Sequence, residues 1–377
     1  MKPSAFARPA MILFALMLVV PTFVLNTGSA SAATPTVGAV YTLTNATTGN
    51  AVVVFKRAAD GSLTLKNTVA TGGLGTGAGL GSEGALVLGE DKQWLFAVNA
   101  GSNTVSVFAI GVDGLHLTQT IASGGVTPIS IAVHGELMYV LNAGGTGNIT
   151  GFTQNEEGFL APLPASTRPL STAAAGPAQI AFNPAGTVLV VTEKTTNSID
   201  TYTIDNNSIA NGPIVTPSSG MTPFGFAWTK RGQLLVSEAS GGNTNASAAS
   251  SYQVHDNGSI HAISASVPTH QTAACWLVAT DNSRYAYTAN AGSGTISGYS
   301  VGSNGSLSLL NSDGITGVTG ANSHPIDMAL SRFSHYLYVL NSGNSTISVF
   351  AVQTNGSLLP LNGVSGLALS VSGLAAR

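Results

Sequence analysis

The chain has a single cysteine, Cys275, in 377 residues, so no intrachain disulfide can brace it. Charge is almost as scarce. Asp, Glu, Lys and Arg together make up 8% of the residues, 13 basic against 16 acidic, for a formal net charge of −3. Long surface helices laced by ion pairs cannot be built from that, and the lack of any basic run excludes a nucleic-acid binder. There is no His-x-x-x-His spacing or cysteine cluster for zinc, no Gly-x-Ser-x-Gly elbow and no phosphate-binding loop. No metal ion and no cofactor is expected. What the chain does have is 45 Gly and 16 Pro, with many Ser, Thr and Asn, a composition that suits turns and strand edges.

Lys2 and Arg8 precede an apolar run from Ala10 to Leu25, and the small residues Ala30-Ser31-Ala32-Ala33 follow it. This is the layout of a secretory signal peptide, 1–32, cut after Ala32. The other reading, an uncleaved membrane anchor, has to contend with a short run that contains Pro21. No other stretch could cross a bilayer, so the mature chain, 33–377, is expected to be exported to the medium, periplasm or envelope, with no membrane span.

Repeats set the architecture. LFAVNAGSNTVSVFAI from Leu95 returns as MYVLNAGGTGNITGF from Met138, AYTANAGSGTISGYSV from Ala286 and LYVLNSGNSTISVFAV from Leu337. VYTLTNATTGNAVVVF at Val40 is an earlier copy, and degenerate ones start at Leu189 and Leu234. With Asn45, Asn99, Asn142, Glu193, Glu238, Asn290 and Asn341 as markers the mean period is about 49 residues, in the range of propeller blades. Each unit offers four short strands, the last entered through a DGS or NGS turn. An isolated unit would leave both faces apolar, so the repeats must stack around an axis. The sequence predicts an all-β, seven-bladed β-propeller with four antiparallel strands per blade. Blade one lacks an inner strand at the N-terminus, and the leftover segment from Val364 to Ala376 is expected to supply it, closing the ring. A monomer is expected.

The NGS and DGS turns at Asp60, Asn257, Asn304 and Asn355, together with GPAQIAFNPAG at Gly176, resemble the β-propeller lactonase family, which includes propeller-type 6-phosphogluconolactonases and carboxymuconate cyclases. The chain also resembles YVTN-type propellers. The lactonase resemblance implies Gly-Pro-Arg-His at the head of the fourth blade's inner strand and Asn-Glu at the end of its second. Gly176-Pro177 match, but Ala178 and Gln179 replace the Arg and His, and Glu193-Lys194 replace the Asn-Glu. A further family Arg falls near Cys275. The cationic cluster for a phosphorylated or dicarboxylate lactone is therefore missing, and a neutral or weakly charged one fits better.

In a propeller the turns between second and third strands share a face with the loops that enter the inner strands, so the Asn turns ring one mouth of the channel. The face of the NGS turns is expected to be bland. Recurrent Asn residues build blades, because their amides satisfy turn backbones. Departures from the repeat carry the site. Glu193 and Glu238 are candidate general bases, since desolvated carboxylates acquire raised pKa values. Lys194, Gln179 and His324 could donate to a developing oxyanion, while Asp327, Trp276 and Glu83, the last standing where other blades have Pro, complete the candidate binding residues. Cys275 is either a buried apolar side chain or a thiol near His270. Two functions follow: a secreted lactonase-like hydrolase, or a non-catalytic propeller that binds a glycan, an envelope component or a protein. The ligand is accordingly a small lactone or something carbohydrate-like.

Overall fold

The computed structural model describes residues 35–377 and, ahead of them, Met1 and Ser4. The expected signal peptide and its cleavage point lie outside the described residues. Among the described residues no helix is long and apolar enough to cross a membrane.

Seven antiparallel sheets follow one another around the ring. Blade seven shows the common plan, with strands Pro325–Leu330, Tyr336–Asn341, Thr346–Val352 and Leu358–Ser365 running from the channel outward. Inner and second strands are packed on both faces, which is why they read as unbroken apolar runs. All six residues of Val188–Glu193 are buried. Outer strands meet solvent on one side, as in Leu63–Ala70, where most positions are exposed. One core cluster passes from Tyr41 and Val54 of blade one through Phe96 and Val107 of blade two to Ile131 and Val140 of blade three, so apolar burial binds each blade to its neighbours.

Blade one contains both ends of the domain. Ser372–Ala376 is its inner strand and pairs antiparallel with Thr36–Leu43, with Val40 opposite Ala376 and Tyr41 opposite Ala375. The closing segment is shorter than the leftover piece expected from the sequence. Val364 and Ser365 belong to the outer strand of blade seven, opposite Ile347 and Thr346, because the third strand there needs a partner along its whole length.

The NGS and DGS turns are built alike. The amides of Ser62, Ser259, Ser306 and Ser357 donate to the side-chain oxygens of Asp60, Asn257, Asn304 and Asn355 at 3.0–3.1 Å. These turns also bolt blades together. The Tyr338 hydroxyl of blade seven donates to Gly61 O of blade one at 2.9 Å, and the Tyr287 hydroxyl of blade six to Gly356 O of blade seven at 2.9 Å.

Candidate functional site

The recurrent Asn positions have a fixed structural use. Asn99, Asn290 and Asn341 are fully buried. Each donates from Nδ2 to a Thr hydroxyl five residues on and a Ser hydroxyl seven residues on: Thr104 and Ser106, Thr295 and Ser297, Thr346 and Ser348, at 2.7–3.1 Å. Glu193 and Glu238 occupy the same seat in blades four and five, and both are 0% exposed.

Glu193 accepts from the Ser171 amide at 3.0 Å, from the Ser171 hydroxyl and from the Thr196 hydroxyl at 2.7 Å. Opposite it, Asp200 stands where other blades have the seventh-residue Ser, and its Oδ2 also accepts from the Ser171 amide at 3.1 Å. Burial first, and then the Glu193 carboxyl beside it, push Asp200 up to about 8. At neutral pH Asp200 therefore keeps its proton beside the Glu193 carboxyl. Glu238 accepts from the hydroxyls of Ser250 and Ser266. Burial raises its pKa while those hydroxyls pull it back. Gly220 passes close above it, and a Cβ there would collide with Glu238 Oε2. These two carboxyls sit in the seams where loops enter blades four and five.

The channel holds a different pair. The stretch from Gly72 to Gly84 connects blade one to blade two, and its outer part is pinned by Asn45, whose Nδ2 donates to Thr76 Oγ1 at 2.9 Å and to Ala78 O at 2.6 Å. Its inner part leaves the sheet, and blade two's inner strand shrinks to Leu86–Leu88, against seven residues for Pro128–His134 in blade three. The freed residues cross the channel. Ser82 Oγ donates to Ile129 O of blade three at 2.9 Å, the Glu83 amide donates to Ala178 O of blade four at 3.1 Å, and Trp276 Nε1 of blade six donates to Ser82 O at 2.9 Å. The Glu83 carboxyl accepts from the Leu277 amide at 3.3 Å. It lies so close to blade five that a Cβ on Gly225 would overlap it.

Asp327 of blade seven faces the same space. Its Oδ1 accepts from the Met328 amide at 2.7 Å, and its Oδ2 has no partner among the described residues. Glu83 is 8% exposed and Asp327 2%. Burial, reinforced by the charge of Asp327, drives the Glu83 carboxyl well above the usual carboxylate range, and burial does the same to Asp327.

The wall beside Glu83 is aromatic. The Phe224 and Trp276 rings are 4.9 Å apart, and Lys194 Nζ lies 4.8 Å from the Phe224 centroid while donating to Gly81 O at 2.6 Å. Desolvation lowers the Lys194 pKa. Gln179, at the position of the family's His, is fully engaged with blade five: Nε2 donates to Phe226 O at 3.0 Å and Oε1 accepts from its amide at 2.6 Å. His324 is exposed on the rim with φ of 46°. Thr127, Gly176, Thr222 and Ala273 share this left-handed conformation just ahead of their inner strands, so the backbone there belongs to the repeat. Cys275 is buried, and desolvation pushes its thiol up to about 12. That excludes a resting thiolate.

The structure thus gathers Glu83, Asp327, Lys194 and Trp276 about one end of the channel, puts Gln179 between inner strands, and keeps Glu193 and Glu238 in the seams. Phe224 and Asp200 escaped the sequence reading, although Asp200 carried a signal in breaking the Ser pattern seven residues after the seat. The opposite face, expected to be bland, contains a cavity of about 760 Å³.

A closed seven-bladed ring with buried carboxyls in its channel defines the class of the molecule. The family model described as lactonase, seven-bladed β-propeller, matches residues 39–168, 149–275 and 239–364, and the chain belongs to that family. No curated protein matches it. Solved structures resemble it throughout. A protein from Lactobacillus plantarum aligns with 15% identity over 90% of this chain and 100% of its own, with a TM-score of 0.72. A candidate 6-phosphogluconolactonase of Bacteroides uniformis gives 17% identity, 89% and 98% coverage and a TM-score of 0.71. The periplasmic gluconolactonase of Pseudomonas aeruginosa gives 15%, 89% and 99%, and 0.67. At such identities the likeness is one of fold.

Proposed function

We propose that the chain is an exported hydrolase that opens an uncharged lactone at the Asn-turn end of its channel. The observation that carries this reading is the Glu83 and Asp327 pair. Two desolvated carboxyls facing one space share a proton, which supplies an acid and a base together. In the reaction the ionised carboxylate takes a proton from water as its oxygen bonds to the lactone carbonyl carbon. The ring C–O bond then breaks, and the protonated partner gives its proton to the departing alkoxide. Lys194 donates to the carbonyl oxygen as negative charge develops there. Phe224 and Trp276 provide an apolar wall for the ring. With one amine and no Arg at this end among the described residues, a phosphorylated substrate would lack its counter-charges.

A second reading, a binding propeller without turnover, is favoured by the commitment of Glu193, Glu238, Gln179 and Trp276 to internal hydrogen bonds. A pH-stat assay of the purified mature chain on a panel of neutral lactones separates the two. Acid release that falls ~10² to 10⁴-fold in Glu83→Gln and Asp327→Asn, with Glu193→Gln and Glu238→Gln near the parent rate, supports the first reading. The opposite pattern returns the base to the seams. No turnover, alongside measurable binding of a glycan or envelope fragment, supports the second. N-terminal sequencing of exported protein tests the leader: a start at Ala33 supports cleavage, and an intact Met1 in a membrane fraction refutes it.

A further inference from the structure

The cavity on the face of the NGS turns lies where four inner strands end. Leu330-Ser331-Arg332 continue blade seven, Ala376-Arg377 blade one, Glu90 to Lys92 follow blade two, and Asp281 follows blade six. It is therefore the far mouth of the channel, and its size is that of a small-ligand site.

Its basic groups are not ion-paired within the described part of the protein. Arg57, Lys92, Arg332 and Arg377 all line it, and among the described residues none of them is in an ion pair with a side-chain carboxylate. Arg57 is only 8% exposed. Its Nε donates to the main-chain oxygen of Arg377 at 3.1 Å. Arg377 Nε is buried with no hydrogen-bond partner. Arg57 is thus nearly sealed from water with only its Nε committed, to a main-chain oxygen, and Arg377 Nε is unpartnered among the described residues, so an anion in the cavity would complete both guanidinium groups.

The acidic residues on the same wall point to the rest of the ligand. Glu90 is engaged by His134 at 3.2 Å, and Asp91 caps its own turn by accepting from the Gln93 amide at 2.8 Å. Asp281 has no such tie among the described residues, and can accept only from donors. A fully ionised phosphate has no donor to offer this carboxylate, whereas a sugar acid brings carboxylate for the arginines and hydroxyls for Asp281.

We infer that this far mouth is a binding site for an acidic sugar, a uronic acid or a glycan ending in one, with the arginines taking the carboxylate and Asp281 a hydroxyl.

Isothermal titration of the mature chain with trigalacturonate, and with maltotriose as the neutral counterpart, tests this. Trigalacturonate should bind, maltotriose should bind at least ~10-fold more weakly, and Arg332→Gln and Arg377→Gln should each weaken the acid by ~10-fold. Arg57→Gln is expected to abolish binding but could disturb blade one. The exposed Arg332 therefore provides the decisive variant, with an unchanged melting temperature as its control. Raising salt from 50 to 500 mM should weaken binding further, since part of the contact is ionic. No binding of trigalacturonate, equal affinity for the two trisaccharides, or affinity unchanged in Arg332→Gln and Arg377→Gln would each overturn the inference. Binding of inorganic phosphate tighter than that of trigalacturonate would overturn the assignment to a sugar acid.

Discussion

Asp200→Asn should make the protein more stable, and increasingly so as the pH rises. In the unfolded chain this carboxyl ionises near 3.8, while in the folded ring it keeps its proton to about 8. Between those values unfolding releases a proton, so the residue costs stability progressively from pH 4 to pH 8 and at a constant level above. At ~1.36 kcal/mol per unit the ceiling over four units is ~5 kcal/mol. Relaxation around the pair should reduce it to roughly 2–4 kcal/mol. An asparagine has the same shape, and its Nδ2 would give Glu193 a permanent hydrogen in place of the Asp200 proton. Its Oδ1 could still accept from the Ser171 amide. Melting curves from pH 3.5 to 8.5 should nearly coincide at the acid end and diverge to roughly 3–6 °C in favour of the variant at pH 8. The titrations of Glu83, Asp327 and Glu238 are common to both proteins and cancel in the difference. Parallel curves would show that Asp200 is ionised in the native seam, and would refute its raised pKa.

Truncation after Gly366 removes the Ser372–Ala376 strand and leaves blade one without its inner member. The melting temperature should drop by at least ~10 °C, and an unchanged curve would show that the ring does not depend on this closure. Tyr287→Phe should cost about 1 kcal/mol in a urea melt through loss of the bond to Gly356, while a loss above about 3 kcal/mol would mean that the ring itself had shifted. Cys275 should resist a disulfide reagent at pH 8 in the native protein and react fully in denaturant. Rapid native labelling would contradict its burial and raised pKa.

The ring was readable because its repeat is short, and because apolar runs ending in Asn recur at one spacing. The boundary of the closing segment was misplaced at Val364, since nothing local distinguishes a residue that completes blade seven from one that begins the linker to blade one. Glu83 stood out as a departure from Pro, but its position across the channel depends on blade two giving up most of its inner strand. That is a tertiary outcome, and its local trace is a run of glycines. Glu193 and Glu238 were recognised as unusual. Their partners were not, because Ser171 arrives from the loop that enters blade four and Ser266 from the outer strand of blade five, far along the chain from the carboxyls they meet. The arginines of the far mouth went unnoticed because Arg57, Arg332 and Arg377 are dispersed along the chain, and only the convergence of strand ends brings them together.

The Ser82–Gly84 crossing changes what kind of passage the ring encloses. Tied to blades three, four and six, with Glu83 and Asp327 almost sealed from water, it plugs the bore between the Asn-turn end and the far mouth. A molecule taken up on one side has to leave on that side, and what it leaves behind cannot drift through to the other. The arginines of the far mouth are therefore separated from the Phe224–Trp276 end by a closed partition.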